Sequence, residues 1–143
     1  MEASTFKIKT PRLTGGRSHT PLARTELAFI GLNYYVPGRK NTLHTHPGED
    51  HAFVVLEGEA TFHDKAGTAT LLKKGEGIML PEGWHYWFQN TGQIPLALLR
   101  FSALKGNPKV KRIDAQGRTR EEHEQGYAAV DGEPMEDQYW EFS

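Results

Sequence analysis

The sequence predicts an all-β domain, a small sandwich or barrel, on three observations. Fifteen glycines and eight prolines punctuate the 143 residues. The apolar segments between them are short, and nearly every one is closed by Gly, Pro, Asn or Asp. Eight or so such runs read as strands joined by turns, and one small barrel with a cavity is the natural way to arrange them.

Residues 1–25 are polar and contain Thr10-Pro11, Gly15-Gly16 and Thr20-Pro21, so an irregular arm is expected there, with one short strand near 6–8. Residues 27–36 are β-rich and stop at Pro37-Gly38. Strands are expected at 42–46, 52–56 and 60–63, the last two separated by Glu57-Gly58-Glu59. Residues 68–72 follow the turn Asp64-Lys65-Ala66-Gly67, and 78–80 break at Pro81-Glu82-Gly83. Residues 84–89 end at Asn90-Thr91-Gly92, and 95–103 form the last long strand. The chain thus divides into an N-terminal arm (1–25), a barrel (26–104) and a C-terminal extension (105–143). In the extension, 105–114 read as an exposed connector and 118–125 as room for a helical turn or two. Tyr139, Trp140 and Phe142 crowd the end of the chain, which implies burial against the barrel or a neighbouring subunit.

Composition narrows the function. The chain has no cysteine, which excludes disulfides, thiolate metal sites and a cysteine nucleophile. No segment reads as a signal peptide, and no apolar run approaches the roughly 20 residues of a membrane span. A cytoplasmic protein is expected, with no membrane partner. A formal charge of −1 gives no pull toward nucleic acid. The basic residues between 105 and 120 lack interleaved aromatics and run into Glu121, Glu122 and Glu124, so they read as a solvated face.

One stretch carries chemistry. His44-Thr45-His46-Pro47-Gly48-Glu49-Asp50-His51 packs three imidazoles into eight residues. Histidines at i and i+2 of a strand project from one face, so His44 and His46 can converge on one ion. A strand returning across the short loop could bring His51 to the same point. Neutral imidazole is a common ligand for zinc, iron, copper and nickel, and three of them with open positions make a reactive site. His63, just before the Asp64-Lys65 turn, reads as a surface residue, and His19 and His123 show no ligand spacing.

These residues resemble the cupin superfamily, in particular its small single-domain bacterial members of the conserved-barrel type. The family's first motif is glycine, five residues, H-x-H, three or four residues, glutamate, six residues, glycine. It is matched by Gly38, RKNTL, His44-Thr45-His46, PGED, His51, AFVVLE and Gly58, with His51 standing for the glutamate. The second motif is glycine, five residues, P-x-G, two residues, histidine, three residues, asparagine. It is matched by Gly75, EGIML, Pro81-Glu82-Gly83, Trp84-His85, Tyr86, WFQ and Asn90, with Tyr86 at the ligand position and His85 one place early.

The resemblance implies a jelly-roll (double-stranded β-helix) barrel with N- and C-terminal extensions, commonly paired into a homodimer through sheet edges or exchanged terminal strands. It implies His44 and His46 as metal ligands. An inward His51 would then complete a neutral three-histidine face around one divalent transition metal, iron first, with nickel, copper or zinc as alternatives. Strand alternation puts Trp84, Tyr86 and Phe88 on one face, so Tyr86 is expected in the cavity as a catalytic phenol or a ligand, beside Trp84 and Phe88. A one-residue bulge would instead aim His85 inward as the alternative ligand. Arg100, inside the last apolar strand, could clamp a substrate carboxylate or lie outward on a rim.

The fold hosts many chemistries. The leading expectation is a non-haem metal-dependent dioxygenase acting on a small organic molecule. The alternatives are a metal-free or metal-assisted module binding a sugar or carboxylate, and a sugar isomerase or epimerase.

Overall fold

The computed structural model describes residues 1–105, 112–116 and 130–143. Among the described residues there is no helix, and therefore none long and apolar enough to cross a membrane. The described residues form thirteen strands in three antiparallel sheets: β1 Lys9–Leu13, β2 Arg17–Arg24, β3 Ala28–Tyr35, β4 His44–Thr45, β5 Glu49–Glu57, β6 Glu59–Asp64, β7 Ala69–Lys73, β8 Gly77–Leu80, β9 Tyr86–Asn90, β10 Leu96–Leu104, β11 Ile113–Asp114, β12 Val130–Asp131 and β13 Pro134–Glu141.

A six-stranded sheet, β12-β2-β3-β10-β5-β8, faces a five-stranded sheet, β11-β4-β9-β6-β7, and β1 pairs with β13 in a third. Period-2 alternation separates two cores. Tyr35, Phe53, Val55, Phe62, Tyr86, Phe88, Leu96 and Leu98 fill the space between the two large sheets. Residues of opposite parity on β3 and β10, Leu32, Tyr34 and Ala97, pack with Leu13 and Trp140 on the outer face, beneath the β1–β13 ribbon. Asn90 locks the barrel end, where its amide donates to Tyr35 O and Ile94 O, both at 2.9 Å.

The interior strands lie close to their expected places. The N-terminal arm does not. Residues 6–8 are not a strand; β1 and β2 occupy 9–24 instead. Their prolines are accommodated where pairing is irregular, with register shifts between Pro11 and Leu13 and between Pro21 and Ala23. Polar contacts that no hydropathy pattern displays tie the two strands together, notably Thr10 Oγ1 to Thr20 Oγ1 at 2.8 Å. At the other end, Trp140 is buried and its indole N–H donates to the Glu57 carboxylate, while Tyr139 and Phe142 are half exposed. The helical turn expected at 118–125 lies outside the described residues.

Candidate metal centre

The site forms where β4 turns into β5. His44 pairs with Tyr86 of β9 on one side and Asp114 of β11 on the other, which holds the short β4 inside the sheet. His46 follows immediately, and Pro47-Gly48 returns the chain into β5. That strand begins at Glu49, three residues earlier than its apolar run suggests. Its parity then sends Glu49, His51, Phe53 and Val55 inward, and Asp50 and Val54 out to solvent.

The three buried histidines meet edge to face, with interplanar angles of 84° for His44 and His46 and 76° for His46 and His51. Ring centroids are 4.8 Å apart for His44 and His46, and 4.5 Å for His46 and His51. His46, Glu49 and His51 are all buried, and each offers a ligand atom within 4.8 Å of the others. This His/Glu group could hold a metal ion. His44 stands beside it but outside that donor group.

Glu49 is the electrostatic hub. Its Oε1 lies 2.7 Å from His51 Nδ1, 2.7 Å from Arg100 Nη2 and 3.9 Å from His46 Nδ1. Burial works against the carboxylate charge, but His51 and Arg100 outweigh it and hold the Glu49 pKa below the usual value. The imidazoles move the way ligands need. Burial, then the Arg112 charge, pushes His44 well below the ordinary histidine value, and burial lowers His51 even against its contact with Glu49. His44 Nδ1 sits 2.5 Å from Thr42 O; donation there leaves Nε2 as the free lone pair. Tyr86 is fully buried, and its phenol is pushed far above its ordinary range, chiefly by burial, so it stays protonated.

A cavity of about 50 Å³ opens beside these groups, lined among others by His44, His46, Tyr86, Arg17, Arg100 and Arg112. On the scale of one water per roughly 10–15 Å³, it has room for a few waters or a very small ligand. Tyr86 also lines a second cavity of about 90 Å³ with Phe62, Ile78, Leu80 and Trp84, and so stands as the partition between the two.

The expected site residues separate into those the fold gathers and those it does not. His44, His46, His51, Tyr86, Phe88 and Arg100 all turn into the barrel. His85 does not: β9 begins regularly at Tyr86 with no bulge, and His85 stays partly exposed outside the cavity. Trp84 does not line the histidine cavity either. It belongs to the turn before β9, where strand parity no longer applies, and is 49% exposed. Two residues were not foreseen. Glu49 supplies the carboxylate that His51 was expected to have displaced, so the group is not a neutral three-histidine face. Its signal was available as parity, since Glu49 precedes His51 by two. Arg112, expected on an exposed connector, is buried and donates to Thr42 Oγ1 at 3.0 Å. Only the pairing of β11 with β4 brings it there.

Residues 32–101 match the family model for a cupin domain. The chain carries a cupin domain. Among solved structures, an uncharacterised conserved protein from Klebsiella pneumoniae with a double-stranded β-helix domain is 24% identical over 74% of this cupin and 84% of that chain, with a TM-score of 0.66. The cupin domain of Schizosaccharomyces pombe Cnp3 is 20% identical over 65% of this chain and 68% of its own, at 0.60. An oxalate oxidase in complex with the substrate analogue glycolate is 18% identical at 0.59, over 71% of this chain and 56% of that one. These likenesses show the fold. No curated protein matches by sequence.

Proposed function

We propose that this cupin is a metal-dependent enzyme of the oxygenase type, acting on a small organic molecule. The observation that carries the proposal is the buried His46, Glu49 and His51 group at the end of the barrel cavity. Two histidines and one carboxylate suit non-haem Fe(II), with nickel, copper or zinc as further candidates. A metal held by these three residues, with His44 Nε2 as an adjacent fourth donor, would supply Lewis acidity and open positions for substrate and dioxygen.

The chain's own residues do the rest. Burial keeps His44 and His51 neutral and available near pH 7. The protonated Tyr86 phenol, its ring 4.4 Å from that of His44, is a hydrogen-bond donor facing bound substrate. Phe53, Phe88 and the Tyr86 ring form the apolar part of the cavity wall. The oxalate oxidase likeness is compatible with a small carboxylate substrate.

A second reading, a binding module that works without metal, is favoured by one contact: the Arg100 guanidinium already neutralises Glu49. Elemental analysis of untagged, chelator-free protein beside a His46→Ala variant separates the two. About one transition metal per chain, lost in the variant, supports the enzyme. No metal in either protein after anaerobic reconstitution refutes it and leaves the binding module. The homodimer belongs to the same proposal, supported by the half-exposed Phe101 and exposed Met79, which flank Ala52 in one outward cross-strand row. A monomer by light scattering at micromolar concentration refutes that part.

A further inference from the structure

We infer that Arg100 is a carboxylate-binding residue held in reserve by Glu49, and is released to ligand when a metal ion takes Glu49. The inference rests on the metal reading above and adds ligand chemistry and order of binding to it.

Glu49 Oε1 is claimed twice at 2.7 Å, by His51 Nδ1 and by Arg100 Nη2, inside a group where the same carboxylate is a candidate metal ligand. A cation inserted among His46, Glu49 and His51 competes for the lone pairs that now receive Arg100. Two positive charges on one buried carboxylate also repel each other. The guanidinium has a second anchor, since its Nε donates to Ser102 Oγ at 3.2 Å and Ser102 is fully buried on the same strand. Losing Glu49 therefore frees the outer edge of the fork without releasing the whole side chain. Arg100 itself lines the cavity, so a freed edge is within reach of a ligand there. The Arg100 charge is felt at His44, His51 and Tyr86, as expected for a cation directed at the site rather than at solvent. A planar guanidinium edge in a cavity of about 50 Å³ selects a small planar anion, a carboxylate of two or three carbons. Before metal binds, Glu49 fills that role from within the protein. Metal and carboxylate then bind with positive coupling, each raising the affinity for the other.

The test reads the arginine directly. Side-chain ¹H–¹⁵N spectra of the full chain, with the Arg100 Nε resonance assigned by Arg100→Lys, are recorded metal-free, with Zn(II), and with Zn(II) plus acetate. Calorimetry supplies the Zn(II) and acetate affinities. Zn(II) should shift the Arg100 signal, and acetate should shift it again, saturably, only in the loaded protein. In metal-free Glu49→Gln, which removes the occupying charge, acetate should bind roughly tenfold or more tightly than in metal-free wild type. Adding Arg100→Gln to that variant should abolish the gain. Zn(II) binding that leaves the Arg100 signal unmoved, with equal acetate response in wild type and Glu49→Gln, overturns the exchange and leaves the metal site standing. Failure of wild type to bind Zn(II) overturns the metal reading and the exchange together.

Discussion

Lowering the pH should unfold the metal-free protein from its own histidine cluster. His44 and His51 are buried in neutral form with lowered pKa values, whereas in the unfolded chain both titrate near 6.5. As pH falls through that value the unfolded state gains protons that the folded state refuses. Stability is therefore full above about pH 6.5 and declines below it, until each folded-state pKa is reached. One such group costs about 1.4 kcal/mol per pH unit, so the pair together cost up to about 2.7 kcal/mol per unit. His51 should drop out of the slope first, because Glu49 partly offsets its burial. Glu49, itself lowered, adds a further loss in the same direction below its usual carboxylate range. Urea unfolding of the metal-free protein between pH 7.5 and 5.0 measures this directly. At an m-value of about 2 kcal/mol/M, the midpoint should fall by about 1 M between pH 6.5 and 5.5. His44→Gln should remove about half of that dependence. A flat midpoint from pH 7.5 to 5.5 in wild type would refute the argument, because it would mean the imidazoles are already protonated or solvated in the fold.

Three further outcomes follow from particular contacts. Trp140→Ala empties a buried site against Leu13, Leu32 and Tyr34 and removes a donor to Glu57, so urea unfolding should register a loss of about 3–5 kcal/mol; a loss under about 1 kcal/mol would mean β13 is undocked in solution. Gly58→Ala should destabilise by about 2 kcal/mol or more in the same assay, since φ is +85° and a Cβ would meet Pro95 O at 2.8 Å. Tyr86→Phe should leave metal stoichiometry unchanged by elemental analysis, because the buried phenol stays protonated; loss of metal would make Tyr86 a ligand instead.

Much of the fold and part of the site were legible in the chain. The glycines and prolines bracket the interior strands, and β5, β9 and β10 alternate faces as their residues dictate. The H-x-H pair and His51 fall together because parity and a short return loop leave them little choice. The same parity extended two residues back would have included Glu49, but its charge placed it in the loop by composition. Trp84 shows the opposite error, with strand alternation carried past the point where the strand begins.

Local pattern by itself determined the all-β class, the cupin frame and the clustering of His44, His46 and His51, because turns and period-2 alternation act between residues close in sequence. Tertiary structure alone decided what surrounds them. Arg100 meets Glu49 across 51 residues and Arg112 meets Thr42 across 70. Trp140 closes the outer core on strands more than a hundred residues earlier, through β13 and β1. Burial, Glu49, Arg100 and Arg112 set the charge and proton affinity of the histidine cluster, and such effects depend on distance and burial, which sequence separation does not encode.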